Sequence, residues 1–144
     1  MIAITEHIPL SAHTTFKTGG SARFFCVAKS IDDVLEAIAF AREKSVPFFI
    51  LGGGSNVLVS DEGFAGLVIK MEIGGIEFTK TGASVGAGEN WDHFVEKCVE
   101  QGLCGAENLS FIPGTVGAAP VQNIGAYGAE VKDIIESVEV IDIM

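Results

Sequence analysis

Five consecutive residues, Gly52-Gly53-Gly54-Ser55-Asn56, have the types and spacing best suited to chemistry. Glycines carry no Cβ, so main-chain N–H groups can approach a ligand closely and adopt positive φ, and a run of them can surround a phosphate with backbone donors alone. The run is entered by Phe48-Phe49-Ile50-Leu51 and left by Val57-Leu58-Val59, a pattern of strand, bare loop and strand. Two readings fit it: a glycine-rich tight turn, or a loop that binds the pyrophosphate of a nucleotide cofactor. It lacks the Gly-Lys-Ser/Thr ending of a P-loop, and Val57 stands where G-x-G-x-x-G needs its third glycine. A P-loop triphosphatase and a Rossmann site are both disfavoured.

Other chemistries find less support. His7, His13 and His93 have no metal-ligand spacing, the carboxylates are scattered, and no Ser or Cys sits in an elbow motif. Glu89, between Gly88 and Asn90, reads either as a site carboxylate or as an acid favouring a helix start. No general acid stands out, so an enzyme built on this chain needs a cofactor for its hard chemistry or catalytic residues from elsewhere. Cys26, Cys98 and Cys104 are odd in number without C-x-x-C spacing and read as free thiols. A formal net charge of −10, from 9 basic against 19 acidic residues, repels a polyanion and argues against nucleic acid. It leaves an anionic small ligand open, because backbone dipoles attract phosphate without a basic surface. There is no apolar run of roughly 20 residues and no basic-then-apolar leader, so a soluble, cytoplasmic protein without membrane partners is expected. With 48% hydrophobic and 19% charged residues in 144, the chain should fold as one ordinary domain or two small lobes.

The elements that must position the glycine run follow from periodicity. Residues 1–12 give few signals and are expected to form an irregular arm. Strand 23–28, helix 31–45 capped by Ser30 with Asp33, and strand 48–51 form a β-α-β unit with parallel strands and a right-handed crossover. Ile31, Val34, Leu35, Ile38 and Ala39 supply the apolar helix face, and Pro47 ends the helix. A turn at Asp61-Glu62-Gly63, a strand at 67–70 and a hairpin of 76–80 with 83–87 come next. Asn90 caps a second helix whose face is Trp91, Phe94, Val95, Cys98 and Val99, with Gly102 as its left-handed end. Trp91 and Cys98 read as core rather than a redox pair, and His93 as solvated. Residues 109–128 hold two prolines and four glycines but no charge, which suits a segment pressed against something flat. Residues 134–144 alternate like a strand, and the chain stops within it.

Four motifs stand out together: Thr15-Phe16-x-x-Gly19-Gly20, Leu51-Gly52-Gly53-Gly54-Ser55-Asn56-Val57-Leu58, Gly86-Ala87-Gly88-Glu89-Asn90-Trp91, and Ile112-Pro113-Gly114-Thr115-Val116-Gly117 through Gln122-Asn123-Ile124-Gly125-Ala126-Tyr127-Gly128. In this combination the chain resembles the UDP-N-acetylenolpyruvoylglucosamine reductase (UDP-N-acetylmuramate dehydrogenase, MurB) family. The resemblance implies an α+β FAD-binding domain of the vanillyl-alcohol-oxidase (PCMH) type. Its first lobe, about 13–72, is built on a small parallel sheet; its second, about 73–144 and incomplete, on a larger antiparallel sheet with helices. The flavin lies between them. Carried over, Gly52, Gly53, Gly54, Ser55 and Asn56 would face the FAD pyrophosphate. Pro113, Gly114, Thr115, Gly117, Ala118, Ile124 and Gly125 would lie along the flavin and its ribityl-phosphate arm, and Tyr127 would contact the nucleotide-sugar substrate or simply pack in its loop. The family passes hydride from NADPH through FAD to UDP-N-acetylglucosamine enolpyruvate, giving UDP-N-acetylmuramate for peptidoglycan. Its Arg, Ser and Glu catalytic groups and its substrate domain belong to parts of the family sequence beyond residue 144, so this chain is expected to be the cofactor half and catalytically incomplete. Another FAD-linked oxidoreductase of the same superfold, oxidising an alcohol or hydroxy acid, and a non-catalytic flavin-binding module are the alternatives. Oligomeric state is not legible.

Overall fold

The computed structural model describes residues 2–143, and it departs from the sequence reading at the N-terminal end. Thr5–Pro9 is not irregular but forms a strand, β1, antiparallel to β2 (Ser21–Ala28), with Thr5 opposite Phe25 and Ile8 opposite Ala22. An edge strand needs only one partner and can keep its side chains in water, so its composition need not be apolar. Met1 lies outside the described residues.

From β2 the chain enters α1 (Ile31–Glu43), where the Ser30 hydroxyl accepts from the Asp33 N–H and the Asp33 carboxylate accepts from the Lys29 N–H at 2.9 Å. The return bond of the expected capping box thus falls one residue further out. Val34, Ala37, Ile38 and Ala41 face the core, whereas Ile31, Leu35 and Ala39, expected there, are exposed. The next strands are β3 (Phe48–Leu51) and β4 (Phe64–Met71).

Sheet order is β1-β2-β4-β3, with β4 parallel to both β2 and β3. The β-α-β unit therefore has its parallel strands, but β4 lies between them and the sheet is mixed. Gly66, Leu67, Val68 and Ile69 are all buried, a continuous run that belongs at a sheet centre. Gly66 also permits the closest approach to β3's entrance, since a Cβ there would lie 2.2 Å from the Pro47 carbonyl oxygen.

Alternation along the strands divides the sheet's side chains between two faces. Phe24, Cys26, Ala28, Leu67 and Ile69 pack against α1. Phe25, Val68 and Leu51 pack with Leu10 and Ala22 on the other face. Val57 and Val59 join that second layer as irregular chain, so the expected strand after the glycines is absent; Leu58 is left exposed.

Strands β5 (Ile76–Phe78) and β6 (Ala83–Val85) form the expected hairpin, closed by Thr79 N–H to the Gly82 carbonyl at 2.8 Å. In α2 (Trp91–Glu100), Asn90 Oδ1 accepts from the His93 N–H and Gly102 follows at φ +71°. Trp91, Val95 and Cys98 are buried, Phe94 packs at their edge and Val99 is exposed. Trp91 and Val95 join Ala106, Leu109, Ala119, Ile124 and Val131 in a second core, where the Trp91 indole N–H bonds the Leu109 carbonyl at 2.8 Å.

A final pair, β7 (Gly125–Ala126) and β8 (Ala129–Glu130), is antiparallel. Among the described residues the larger antiparallel sheet implied by the resemblance is represented by these two short hairpins. Residues 135–143 form no strand, because no neighbour offers a ladder to their alternating side chains; Met144 is outside the described residues.

Candidate functional site

The glycine run leaves the carboxyl end of β3 immediately after Leu51, which pairs with Lys70 of β4. It is held on both sides by other chain segments. Cβ atoms added at Gly52, Gly53 and Gly54 would lie 2.8 Å from Thr115 Oγ1, 3.1 Å from Gly114 Cα and 2.0 Å from the His13 carbonyl oxygen. Gly54 also sits at φ +72° and accepts a 2.9 Å bond from the Thr15 N–H. Gly53 and Gly54 are therefore required first by close approach of backbone to backbone, and Gly52 by the Thr115 side chain.

The consequence for chemistry is a row of free donors. Among the described residues, the N–H groups of Gly53, Gly54, Ser55 and Asn56 donate to no protein acceptor. Of these, Gly53 and Ser55 border a cleft of about 490 Å³, lined also by Pro113, Gly114 and Thr115, all expected at the site. Thr15, Lys70, Met71, Glu72, Gly88 and Asn90 complete the lining. Lys70 and Glu72 are its two charged groups, and the Lys70 ammonium donates to the Gly52 carbonyl at 2.5 Å.

The opposite wall is fixed by backbone. Trp91 N–H bonds the Gly114 carbonyl at 3.1 Å and Val116 N–H bonds the Glu89 carbonyl at 2.9 Å, an isolated antiparallel bridge between 90 and 115. Gly117 packs on Ala87, where an added Cβ would meet another at 2.6 Å. Asp92 ties residues 110 and 111 to α2: it accepts from the Ser110 hydroxyl and the Phe111 N–H, each at 2.7 Å. The Phe111 N–H first, then the Ser110 hydroxyl, hold its carboxyl below the usual range. The uncharged segment is thus pressed against backbone, as its composition suggests.

The remaining predicted residues are placed differently. Gly52, Gly54, Gly117 and Ala118 support the walls from behind, Ala118 Cβ lying 3.5 Å from where a Gly52 Cβ would be. Asn56 donates from Nδ2 to the Gln122 side chain, linking the two loops. Ile124 is buried in the second core with its N–H and carbonyl both bonded, to Ala119 and Val131. Gly125 lies in β7, and Tyr127 is 92% exposed at φ +53°. None of these three lines the cleft. Glu89 is neither a cleft carboxylate nor simply a helix-start acid; its Oε1 accepts from the Gly75 N–H at 2.7 Å and ties the hairpin to α2.

Sequence reasoning did not single out Lys70 and Glu72. The available signal was that they flank Met71 where the apolar run of β4 gives out. His13, beneath Gly54, stacks on Phe25 with ring centroids 4.5 Å apart, and burial, then the Lys70 charge, lower its pKa. Among the described residues no group of His, Cys, Asp and Glu is arranged to hold a metal ion, and no helix is long and apolar enough to cross a membrane.

Residues 22–143 match the family model described as an FAD binding domain. The chain belongs to the FAD-binding domain family. Within that family it is 41% identical over 145 residues to the UDP-N-acetylenolpyruvoylglucosamine reductase of Thermobifida fusca, covering 97% of this chain and 41% of that protein. The enzyme of the same name from Pseudomonas aeruginosa is 44% identical over 146 residues, covering 98% and 43%. The crystal structure of UDP-N-acetylenolpyruvylglucosamine reductase (MurB) from Thermus caldophilus superposes with a TM-score of 0.69 at 29% identity, covering 92% of this chain and 46% of that one. The chain therefore spans about two fifths of the length of the reductases it matches. The α+β fold of the FAD-binding domain agrees with the mixed sheet and two helices described above.

The cleft suits the dinucleotide part of FAD. A pyrophosphate needs backbone donors and small side chains around it, and the unbonded N–H groups of Gly53 and Ser55 beside Gly114 fit both needs. The uncharged, close-packed wall at Pro113, Gly114 and Thr115 suits the flat face of an isoalloxazine.

Proposed function

We propose that this chain is the FAD-binding portion of an NADPH-dependent reductase that converts UDP-N-acetylglucosamine enolpyruvate to UDP-N-acetylmuramate in the cytoplasm, for peptidoglycan synthesis. Gly52 to Asn56 take the FAD pyrophosphate; Pro113, Gly114, Thr115, Gly117 and Ala118 border the flavin and its arm. Ile124 and Gly125 act by shaping that segment, and Tyr127 meets the nucleotide sugar. On this reading the lobes, at about 13–72 with β1 added to its sheet and at about 73–144, meet at the cofactor.

Bound FAD supplies the hydride carrier. The chain's own residues bind its phosphates through backbone donors, hold the loop against 13–15 and 113–115, and narrow the cleft around the ring. The observation that carries this reading is the pair of unbonded N–H groups of Gly53 and Ser55 lining the cleft, in a chain of the FAD-binding family. Similarity to reductases of more than twice its length supports assigning to this chain the cofactor half alone. Titrating the purified chain with FAD, followed by quenching of flavin fluorescence and a resolved visible spectrum, should show one bound flavin per chain; a spectrum identical to free FAD refutes the assignment. With NADPH and the enolpyruvyl substrate added, no substrate-dependent turnover is expected, and turnover at an ordinary enzymatic rate would overturn that part.

A further inference from the structure

The free backbone donors do not account for the two charged side chains of the cleft, Lys70 and Glu72. Lys70 shares a strand face with Val68, opposite to Leu67 and Ile69. Register places it against Leu51, the last residue before the glycines. From there its ammonium reaches the Gly52 carbonyl. A peptide unit is planar and trans, so fixing that carbonyl also fixes the direction of the Gly53 N–H on the same unit. An ammonium has three donors, and the Gly52 carbonyl takes one.

The charge around the cleft makes this side chain matter. The chain as a whole carries −10, so no general field draws an anion in. With Lys70 neutralised, Glu72 would be the one formal charge left in the lining. Resting on the FAD reading above, we propose that Lys70 is a positioning residue for the cofactor's pyrophosphate: it pins the Gly52–Gly53 peptide and offsets Glu72, so that a dianion can sit against the loop.

The test is the FAD dissociation constant of the full chain and of Lys70→Met, Lys70→Gln and Lys70→Arg, measured by flavin fluorescence across a salt series. Lys70→Met should weaken FAD by about tenfold or more, the scale of one charge-assisted bond. Lys70→Arg, which keeps the charge, should stay within about threefold to fivefold of the unmodified chain. Lys70→Gln, which keeps a donor for the Gly52 carbonyl but no charge, should lose nearly as much as Lys70→Met. Affinity of the unmodified chain should fall with salt more steeply than that of either neutral variant. A merely structural lysine would leave those salt slopes alike. Unchanged affinity in Lys70→Met or Lys70→Gln, or parallel slopes throughout, overturns the proposal while leaving FAD binding intact. Should Lys70→Met fail to fold by circular dichroism, Lys70→Gln and the slopes decide alone. Failure of the unmodified chain to bind FAD would remove both readings together.

Discussion

Replacing Gly54 by Ala separates two costs that glycine loops usually combine. Gly54 and Gly102 have nearly the same backbone conformation, φ +72° and +71°, but an added Cβ meets the His13 carbonyl oxygen at 2.0 Å in the first and nothing within 4 Å in the second. Holding an alanine in the left-handed region costs roughly 1–2 kcal/mol at either position. The gain from stiffening the unfolded chain is also shared and cancels in the comparison. At Gly54 the overlap forces the loop away from residues 13–15 and breaks the 2.9 Å bond from the Thr15 N–H, a further loss of about 0.5–1.5 kcal/mol.

Gly54→Ala should therefore destabilise the chain by roughly 1.5–2.5 kcal/mol and Gly102→Ala by roughly 1 kcal/mol. Urea unfolding followed by the fluorescence of Trp91, the one tryptophan and a buried one, measures both, with far-ultraviolet circular dichroism confirming a common transition. Equal losses in the two variants, within a few tenths of a kcal/mol, would show that the loop is not held against residue 13. In that case the glycines would owe their place to the ligand alone.

Acid should weaken the tie between α2 and residues 110–111. Asp92 has a carboxyl held below its ordinary value by the Phe111 N–H and the Ser110 hydroxyl, so its contribution is complete above the unfolded pKa of about 3.9 and is lost as pH falls through the folded value. The urea midpoint should drop over that acid range, and Asp92→Asn should lower the neutral-pH midpoint while removing this part of the pH dependence. Thiol labelling should distinguish the cysteines: Cys104 is exposed and should react at once, whereas burial, with Asp33 nearby, raises the Cys26 thiol to about 11, and burial also raises Cys98. Labelling of all three in native buffer at the same rate would contradict the burial of Cys26 and Cys98.

Local signals in the sequence translated well into structure. Ser30 and Asn90 capped the expected helices, Pro47 marked the end of the first, and Thr81-Gly82 turned a hairpin, because each acts through atoms a few residues away. The misses were non-local. Apolar alternation at 134–143 had the right period, but a strand exists only where another strand offers its backbone. Thr5–Pro9 shows the converse, a polar strand formed because β2 had a free edge. The rotated face of α1 reflects which side the sheet covers: of the apolar residues expected on that face, Val34 and Ile38 meet it and Ile31 and Leu35 do not. At the site, the glycine run and the uncharged segment were legible as motifs. Lys70 was not, since its role depends on β4 entering the sheet beside β3 rather than on any neighbour in sequence.

That central place of β4 has a consequence for how the chain is made. Synthesis delivers β2, α1, β3 and the glycine run before the strand that joins them. A nascent chain that has reached residue 60 holds the whole motif yet has neither the partner of β3 nor the lysine beneath the loop. The wall at 113–115 arrives later still. Motif and pocket are thus separated in time, and the nascent chain must keep the exposed Phe48–Leu51 edge from foreign pairing until residues 64–71 emerge to cover it.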